Sequence, residues 1–154
     1  MRAARRAVIS WSSPSAASNS TARPVEAERA QPGGTGNHRL PRIARISASA
    51  EIRALFRRGK RKRTRHLDVF VSASPVSHAR LGLVVPKHRR NSVQRNLLKR
   101  RLREIGRTEL LPRLRECSLP VDLMVRARVE AYGASYEALR GELRSLVEEL
   151  CSAG

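Results

Sequence analysis

Apolar residues at helical spacing begin at Ile52. Together with Leu55 and Phe56, it occupies positions i, i+3 and i+4, which lie on one face of a helix. The candidate end residues are Ser47 or Ser49 for the N-cap and Gly59 for the stop. The pattern predicts a short first helix.

Alternation of apolar residues predicts strands further along the chain. In residues 66–72 the alternation places Leu67, Val69 and Val71 on one face and Asp68 and Phe70 on the other. A second apolar run, residues 80–85, follows a short loop and is expected to pair with the first as a hairpin. A third strand is predicted over residues 121–128.

Two longer helices complete the pattern. One begins at Asn91 or Ser92, either of which can cap it, and runs to about Thr108. The other carries an apolar stripe formed by Tyr136, Leu139, Leu143, Leu146, Val147 and Leu150. The order helix, strand, strand, helix, strand, helix predicts a small αββαβα sandwich of the α+β or α/β class, with a three- to four-stranded sheet.

Residues 1–40 show neither the helical nor the strand period of apolar residues. They are rich in Ala, Ser, Pro, Gly and Arg, and their only acids are Glu26 and Glu28. This composition predicts a disordered extension and leaves residues 41–154 as the folded domain. The extension loosely resembles an organelle transit peptide, but a plain unstructured extension or an early start codon is the preferred interpretation.

The charge narrows the classes of function. Lys and Arg number 32 against 13 Asp and Glu, a net charge of +19, and residues 41–154 hold 26 of the basic and 11 of the acidic residues. Such an excess indicates a polyanionic partner rather than a small-molecule substrate. Aromatic residues make up only 3% of the chain, so a base-stacking surface of many rings is not expected.

Other classes of site find little support. No apolar run approaches the roughly 18 residues of a membrane span, so no membrane partner is expected. Cys117 and Cys151 are too few for a disulfide or zinc framework and suit a reducing compartment, which favours a cytoplasmic protein. Asp68 and Asp122 are expected to be surface or edge carboxylates rather than a two-metal site. No side-chain metal cluster is predicted.

The segment 87–107 holds nine basic residues and one acid, Glu104. On a helix, the apolar side collects Leu98, Leu102 and Ile105, with Val93 at its margin. The opposite side collects Arg95, Asn96, Lys99, Arg100, Arg103 and Arg107. A solvated cationic face is the alternative, but like charges at i,i+4 repel, which favours a phosphate-binding role.

A second basic cluster spans residues 57–65, with seven cations and no acid. Its candidate RNA-binding residues are Arg57, Arg58, Lys60, Arg61, Lys62 and Arg63. We expect a flexible loop that follows a phosphate backbone without reading sequence. A merely solubilising loop is the alternative.

Residues 95–104 read Arg-Asn-Leu-Leu-Lys-Arg-Arg-Leu-Arg-Glu. This segment resembles the Arg-Asn-x-x-Lys-Arg-x-x-Arg-Glu signature on the central helix of the bacterial ribonuclease P protein component, with every fixed position present. The likeness extends from about Arg42 to Leu150 and includes residues 80–87 and 121–128.

The resemblance implies the accessory subunit of an endoribonuclease. Such a subunit binds the ribonuclease P catalytic RNA and helps it to remove the 5′ leader of precursor tRNA. The resemblance also implies Mg²⁺ bound mainly through the RNA and no catalytic residue in the protein. It further implies a left-handed βαβ crossover, which general handedness rules would not predict.

The resemblance also assigns residues by position. Those facing the catalytic RNA are Lys87, Arg95, Asn96, Lys99, Arg100 and Arg103, and the basic segment 87–107 adds Arg89, Arg90 and Arg107 as candidate RNA-binding residues. Those lining a cleft for the leader are Ile52, Arg53, Phe56, Arg65 and Phe70. Phe56 fits a core position equally well. The chain departs from the family at Ile52, where an aromatic residue is common, at Arg90, where a Gly is usual, and at Leu97, where a third Arg is common.

The net positive charge by itself is also compatible with three other functions. A basic ribosomal or other structural RNA-binding protein without a processing role is the main alternative. A protein-only nuclease lacks support because there is no carboxylate cluster, and a DNA-binding domain lacks a helix-turn-helix pattern.

Overall fold

The computed structural model describes residues 39–154. The predicted disordered extension lies outside the described residues except for its last two positions, and the transit-peptide interpretation falls outside them too. Leu40 is 3% exposed and packs into the main core, so the packed part of the chain includes this residue.

The described chain contains four α-helices and four strands. The helices are α1 (Ser49–Arg58), α2 (Ser92–Ile105), α3 (Leu111–Glu116) and α4 (Tyr136–Ala153). The strands are β1 (Lys60–Arg63), β2 (Leu67–Ala73), β3 (Arg80–Val84) and β4 (Val121–Ala127). Short 3₁₀ turns occupy Arg42–Ala44 and Val129–Gly133, and a π turn over Gly106–Leu110 joins α2 to α3. No helix within residues 39–154 has the length and apolar character needed to cross a bilayer.

The strands form a four-stranded sheet in the order β1-β2-β4-β3. Strand β2 is antiparallel to β1 and β4, whereas β3 is parallel to β4. The mixed α and β class with a sheet of up to four strands is confirmed, but the predicted hairpin between β2 and β3 is wrong. Strand β4 separates them because its apolar residues are buried on both faces, which suits a central position.

Strands β3 and β4 are adjacent, parallel and connected through α2 and α3, so they form a βαβ unit. The left-handed sense of this crossover stays a prediction.

The hairpin partner of β2 is the basic cluster that was expected to be a loop. Lys60–Arg63 pairs with residues 68–71 of β2. Thr64 closes the hairpin, since its backbone N–H and its hydroxyl both donate to the Leu67 carbonyl, at 2.8 and 3.1 Å. An edge strand can be fully charged because its side chains reach solvent, and an apolar period therefore cannot detect it.

Alternate residues of β2 and β4 enter two different cores. The larger core contains Leu67, Val69, Leu81, Leu123 and Val125 from the sheet with Leu98, Leu102, Leu139 and Leu143 from α2 and α4. The smaller core, under α1, contains Ile46, Leu55, Phe70 and Met124. The predicted alternation of β2 is confirmed.

Two carboxylates expected at the surface are buried. Asp68 is 6% exposed and Asp122 is 5% exposed. Arg61 donates to Asp68 at 3.0 Å, and Arg80 donates to Asp122 at 2.6 and 2.9 Å. Each carboxylate has a guanidinium partner on the neighbouring strand, so burial leaves neither charge unpaired.

Helix α1 begins without a side-chain cap. Its N-cap residue is Ala48, so neither Ser47 nor Ser49 has the predicted role. Gly59 ends the helix as predicted. A Cβ atom there would lie 2.6 Å from the Leu55 carbonyl oxygen, and this close approach favours glycine.

Asn91 caps α2 by accepting the backbone N–H of Gln94 at 2.8 Å, as one of the two predicted caps. The helical chain does not stop near Thr108, because the π turn carries it on into α3. Gly106 permits this path beside the sheet, since a Cβ atom there would lie 2.2 Å from Leu81 Cδ2.

Cys117 and Cys151 form a disulfide between the end of α3 and the end of α4. The expectation that two cysteines are too few is wrong, because one bond requires only two cysteines brought close together. Their Cα atoms lie 5.8 Å apart, within the usual range for a disulfide.

Candidate RNA interface

Helix α2 has the predicted apolar face, with Leu98, Leu102 and Ile105 buried in the larger core. Val93 does not lie at the margin of this core, because it is 73% exposed. Leu97, one turn later, is 48% exposed. An uncharged strip therefore runs along one flank of the helix.

The opposite face of α2 is open and cationic. Asn96, Lys99 and Arg100 are exposed, and Arg95 and Arg103 are half-buried. In the described part of the chain, no carboxylate forms an ion pair with Arg95, Lys99, Arg100 or Arg103. Arg107 differs, because it pairs with Glu104 at 2.6 Å and its charge is compensated locally. The predicted cationic row is thus available to a ligand over its first three turns.

Lys99 lies between two adjoining cavities, which together we call the α1–α2 cleft. The first has a volume of about 460 Å³ and is lined in part by Phe56, Val84, Pro86, Arg95, Lys99 and Arg126. The second has a volume of about 300 Å³ and is lined in part by Ile46, Ile52, Leu83, Lys99 and Arg103. The structure therefore places residues of α1 that were predicted to line the leader cleft next to cations of α2 that were predicted to bind RNA.

Arg95 is fixed at the side of this cleft. Its Nε–H donates to the Val85 carbonyl at 2.8 Å, directly after β3. Lys99 and Arg103 follow at one-turn intervals along α2, so three cations line the same side of the cleft.

The two phenylalanines predicted for the cleft have different roles. Phe56 is partly exposed and lines the first cavity. Phe70 is only 8% exposed and belongs to the smaller core. Their rings meet edge to face, with centroids 4.8 Å apart. Phe70 therefore supports Phe56 from below rather than lining the cleft itself.

Two further predicted cleft residues do not line either cavity. Arg53 is exposed on α1 and its Nε–H donates to the Ser49 carbonyl at 3.4 Å. Arg65 is exposed in the β1–β2 turn. Ile52, where the family often has an aromatic residue, does line the second cavity.

Arg126 is a cleft residue that the sequence reasoning missed. It is the one exposed residue of the buried strand β4, and it lies on the same face as Met124. The single cation of β4 was the available signal. It could be interpreted only once the partly open face of the sheet was known.

The loop before α2 holds the remaining predicted cations. Lys87, Arg89 and Arg90 are exposed. The residues with left-handed backbones are His88 and Arg89, with φ of 43° and 63°, and not Arg90. The Arg90 guanidinium instead lies 5.7 Å above the ring of Tyr132.

Strand pairing divides the second basic cluster between the two faces of the sheet. Arg61 and Arg63 pair with Phe70 and Asp68 and share their face, whereas Lys60 and Lys62 lie on the α4 side. Lys62 forms an ion pair with Glu149. Arg57 and Arg58 are exposed in the last turn of α1.

Comparison with known proteins identifies the family. The family model for ribonuclease P matches residues 40–151. The ribonuclease P protein component of Micrococcus luteus is 40% identical over 113 residues, covering 67% of this chain and 84% of the relative. That of Kocuria rhizophila is 37% identical over 108 residues, covering 70% and 92%.

Solved structures share the fold. The Thermotoga maritima ribonuclease P protein matches with a TM-score of 0.57 and 23% identity, over 68% of this chain and 96% of that one. A Staphylococcus aureus ribonuclease P protein mutant matches with a TM-score of 0.59 and 24% identity, over 70% and 88%. The ribosomal alternative is not favoured by these matches. The chain belongs to the ribonuclease P protein component family, which supplies the protein subunit of the ribonucleoprotein endoribonuclease that processes tRNA 5′ ends.

Proposed function

We propose that this chain binds the ribonuclease P RNA through the outer face of α2 and receives the single-stranded 5′ leader of precursor tRNA in the α1–α2 cleft. Family membership implies the RNA partner. The observation that carries the leader assignment is the first cavity, where Arg95, Lys99 and Arg126 surround an apolar floor that includes Phe56.

The outer face suits a folded RNA because its cations sit on a rigid helix. Arg100 and Asn96 point away from the core on successive turns, and the Lys87–Arg90 loop adds further positive charge at the helix start. Arg forks bind phosphate oxygens bidentately, while Lys acts as a compact point charge. These contacts position the RNA without reading its sequence.

The cleft suits an unpaired strand because it combines charge with one accessible ring. Phosphates would bind the cations on both sides, and a base would stack on Phe56. Phe70 holds the Phe56 ring from behind, so the ring is already ordered before a base arrives. With only one ring, the cleft favours single-stranded substrates of many sequences over a particular base.

The side chains of residues 39–154 do not fit a resident Mg²⁺ ion. No group of three or more His, Cys, Asp or Glu side chains lies together there. The buried carboxylates of Asp68 and Asp122 are both held by arginines. We therefore assign Mg²⁺ binding mainly to the RNA, and the protein contributes charge neutralisation and substrate placement.

Reconstitution tests this division of roles. Precursor tRNA cleavage is measured with the purified chain, with ribonuclease P RNA, and with both, across a Mg²⁺ titration. The chain alone should cleave nothing, and its addition to the RNA should lower the Mg²⁺ concentration required. Metal-dependent cleavage by the RNA-free chain would contradict the proposal, as would an unchanged Mg²⁺ requirement.

A further inference from the structure

The turn that precedes α2 has an unfavourable backbone conformation. Residues 87–90 form a β-turn that is closed by a hydrogen bond from the Arg90 N–H to the Lys87 carbonyl, at 2.8 Å. Both central residues, His88 and Arg89, have left-handed backbones, with φ of 43° and 63°. Turns of this kind usually contain Gly, Asn or Asp at these positions, because larger side chains rarely adopt a positive φ. The turn therefore needs contacts with the surrounding structure to hold it in place.

Tyr132 supplies such contacts from the 3₁₀ turn Val129–Gly133, shortly after β4. Its hydroxyl donates to the carbonyl of Pro86, directly before the β-turn. Its ring meets the ring of His88 edge to face, with centroids 6.2 Å apart, and lies 5.7 Å below the Arg90 guanidinium. One side chain thus contacts the chain before the turn, at its centre and at its end.

Tyr132 is itself held by the fold. It packs against the larger core, and its neighbours Ala131 and Ala134 are buried. The Arg101 side chain, on α2, donates to the Ala134 carbonyl at 3.4 Å, which joins this segment to the helix that follows the β-turn. Tyr132 therefore supports the β-turn from a part of the chain that is fixed relative to α2.

The β-turn that Tyr132 supports carries three uncompensated cations. Lys87, Arg89 and Arg90 are exposed, and no carboxylate within residues 39–154 forms an ion pair with any of them. The aromatic ring below Arg90 attracts the cation without neutralising its charge. The guanidinium therefore remains able to bind a phosphate.

We propose that Tyr132 is a positioning residue for RNA binding, which holds residues 87–90 in the strained turn from which Lys87, Arg89 and Arg90 bind phosphates of the ribonuclease P RNA. The proposal rests on the proposed function of the outer face of α2, which this turn extends. When the support is removed, most molecules leave the left-handed conformation. The apparent affinity for the RNA then falls in proportion to the fraction that retains it.

The experiment measures the affinity of the full chain for ribonuclease P RNA at one salt concentration, and urea unfolding verifies that each variant is folded. Tyr132→Leu removes both the ring and the hydroxyl and should weaken binding about tenfold. Tyr132→Phe keeps the ring below Arg90 and should weaken binding only about threefold. Tyr136→Leu is the control, because Tyr136 packs against the same core from the first turn of α4, and it should bind the RNA as the wild type does.

A second substitution separates positioning of the turn from general stabilisation of the core. Glycine adopts a positive φ without steric cost, so His88→Gly should let the turn form with less support. Added to Tyr132→Leu, it should recover affinity by about threefold or more. His88 is not among the proposed RNA-binding residues, so this recovery would report the conformation of the turn rather than a new contact.

Equal affinities of Tyr132→Leu and Tyr136→Leu would overturn the positioning role, as would a lack of recovery with His88→Gly. Arg90→Ala combined with Lys87→Ala distinguishes this failure from failure of the RNA-binding face. If that double variant binds weakly while Tyr132→Leu binds normally, the turn contacts RNA and only the role of Tyr132 is refuted. If the double variant binds normally, the proposed RNA contact at the start of α2 fails, and the positioning role fails with it.

Discussion

Arg80 and Asp122 form a buried ion pair on the neighbouring strands β3 and β4, with hydrogen bonds of 2.6 and 2.9 Å. A third N–H of Arg80 donates to Glu51, in the first turn of α1, at 2.9 Å. The hydrogen bond to Asp122, reinforced by Glu51, raises the pKa of Arg80 above its usual range although burial acts in the opposite direction. Arg80 therefore stays charged and ties α1, one wall of the cleft, to the sheet.

Glu51→Gln should loosen this wall without unfolding the protein. The buried Arg80–Asp122 pair remains, and the lost pair is partly exposed, so the free energy of unfolding should fall by about 1 kcal/mol or less. We expect a several-fold higher KM for precursor tRNA with unchanged kcat and unchanged affinity for the catalytic RNA. Glu116→Gln, which breaks the surface pair with Arg113, is the control. An equal effect of both variants on KM would refute a positioning role for Glu51.

The double variant Arg95→Ala with Lys99→Ala should weaken binding of precursor tRNA by the holoenzyme and flatten its salt dependence, because both cations line the α1–α2 cleft. Each lost phosphate contact lowers the slope of log K against log salt by about one unit, so a decrease of about two is expected. Arg95 also donates to the Val85 carbonyl, so loss of this hydrogen bond should lower the free energy of unfolding by about 1 kcal/mol. Arg113→Ala with Arg144→Ala removes two cations that are paired with carboxylates, and it should leave the slope unchanged. An unchanged slope in the Arg95→Ala, Lys99→Ala variant would count against phosphate binding in the cleft.

Phe56→Leu should remove stacking while keeping an apolar side chain. A base stacked on an aromatic ring contributes about 1–3 kcal/mol, and the benefit of a leader over a leaderless substrate should fall by that amount. The swap should cost less than about 1.5 kcal/mol of stability. Phe56→Tyr retains the ring and should retain the benefit. Equal leader affinity of the Leu and Tyr variants would show that Phe56 acts only as a core residue.

Cys151→Ser should destabilise the protein without affecting RNA binding. The bond joins residues 34 apart in sequence, and a loop of this size corresponds to about 2–4 kcal/mol of unfolding free energy. Urea unfolding of the wild type with a thiol reductant should match that of the variant. Neither cysteine lines the cleft, so precursor tRNA affinity should stay constant. Identical wild-type curves with and without reductant would contradict the prediction.

Local patterns in the sequence were sufficient to predict the elements whose apolar residues recur at helical or strand spacing. The alternation in β2 and the apolar stripes of α2 and α4 reflect burial of one face or one stripe, so they can be recognised without knowing the neighbours. The same reasoning separated the cationic side of α2 from its core side. The signature in residues 95–104 then indicated the family.

Pairing between distant segments decided the rest. Strand β1 carries no apolar period because it lies at a solvated edge. Strand β4 begins about forty residues after the end of β3 and lies between β2 and β3 in the sheet. This placement buries Asp68 and Asp122 beside arginines and brings Arg126 to the same cleft as Phe56. Helix and strand periods are properties of neighbours in sequence, whereas these contacts depend on which strands pair and in which register, and only the tertiary structure specifies that.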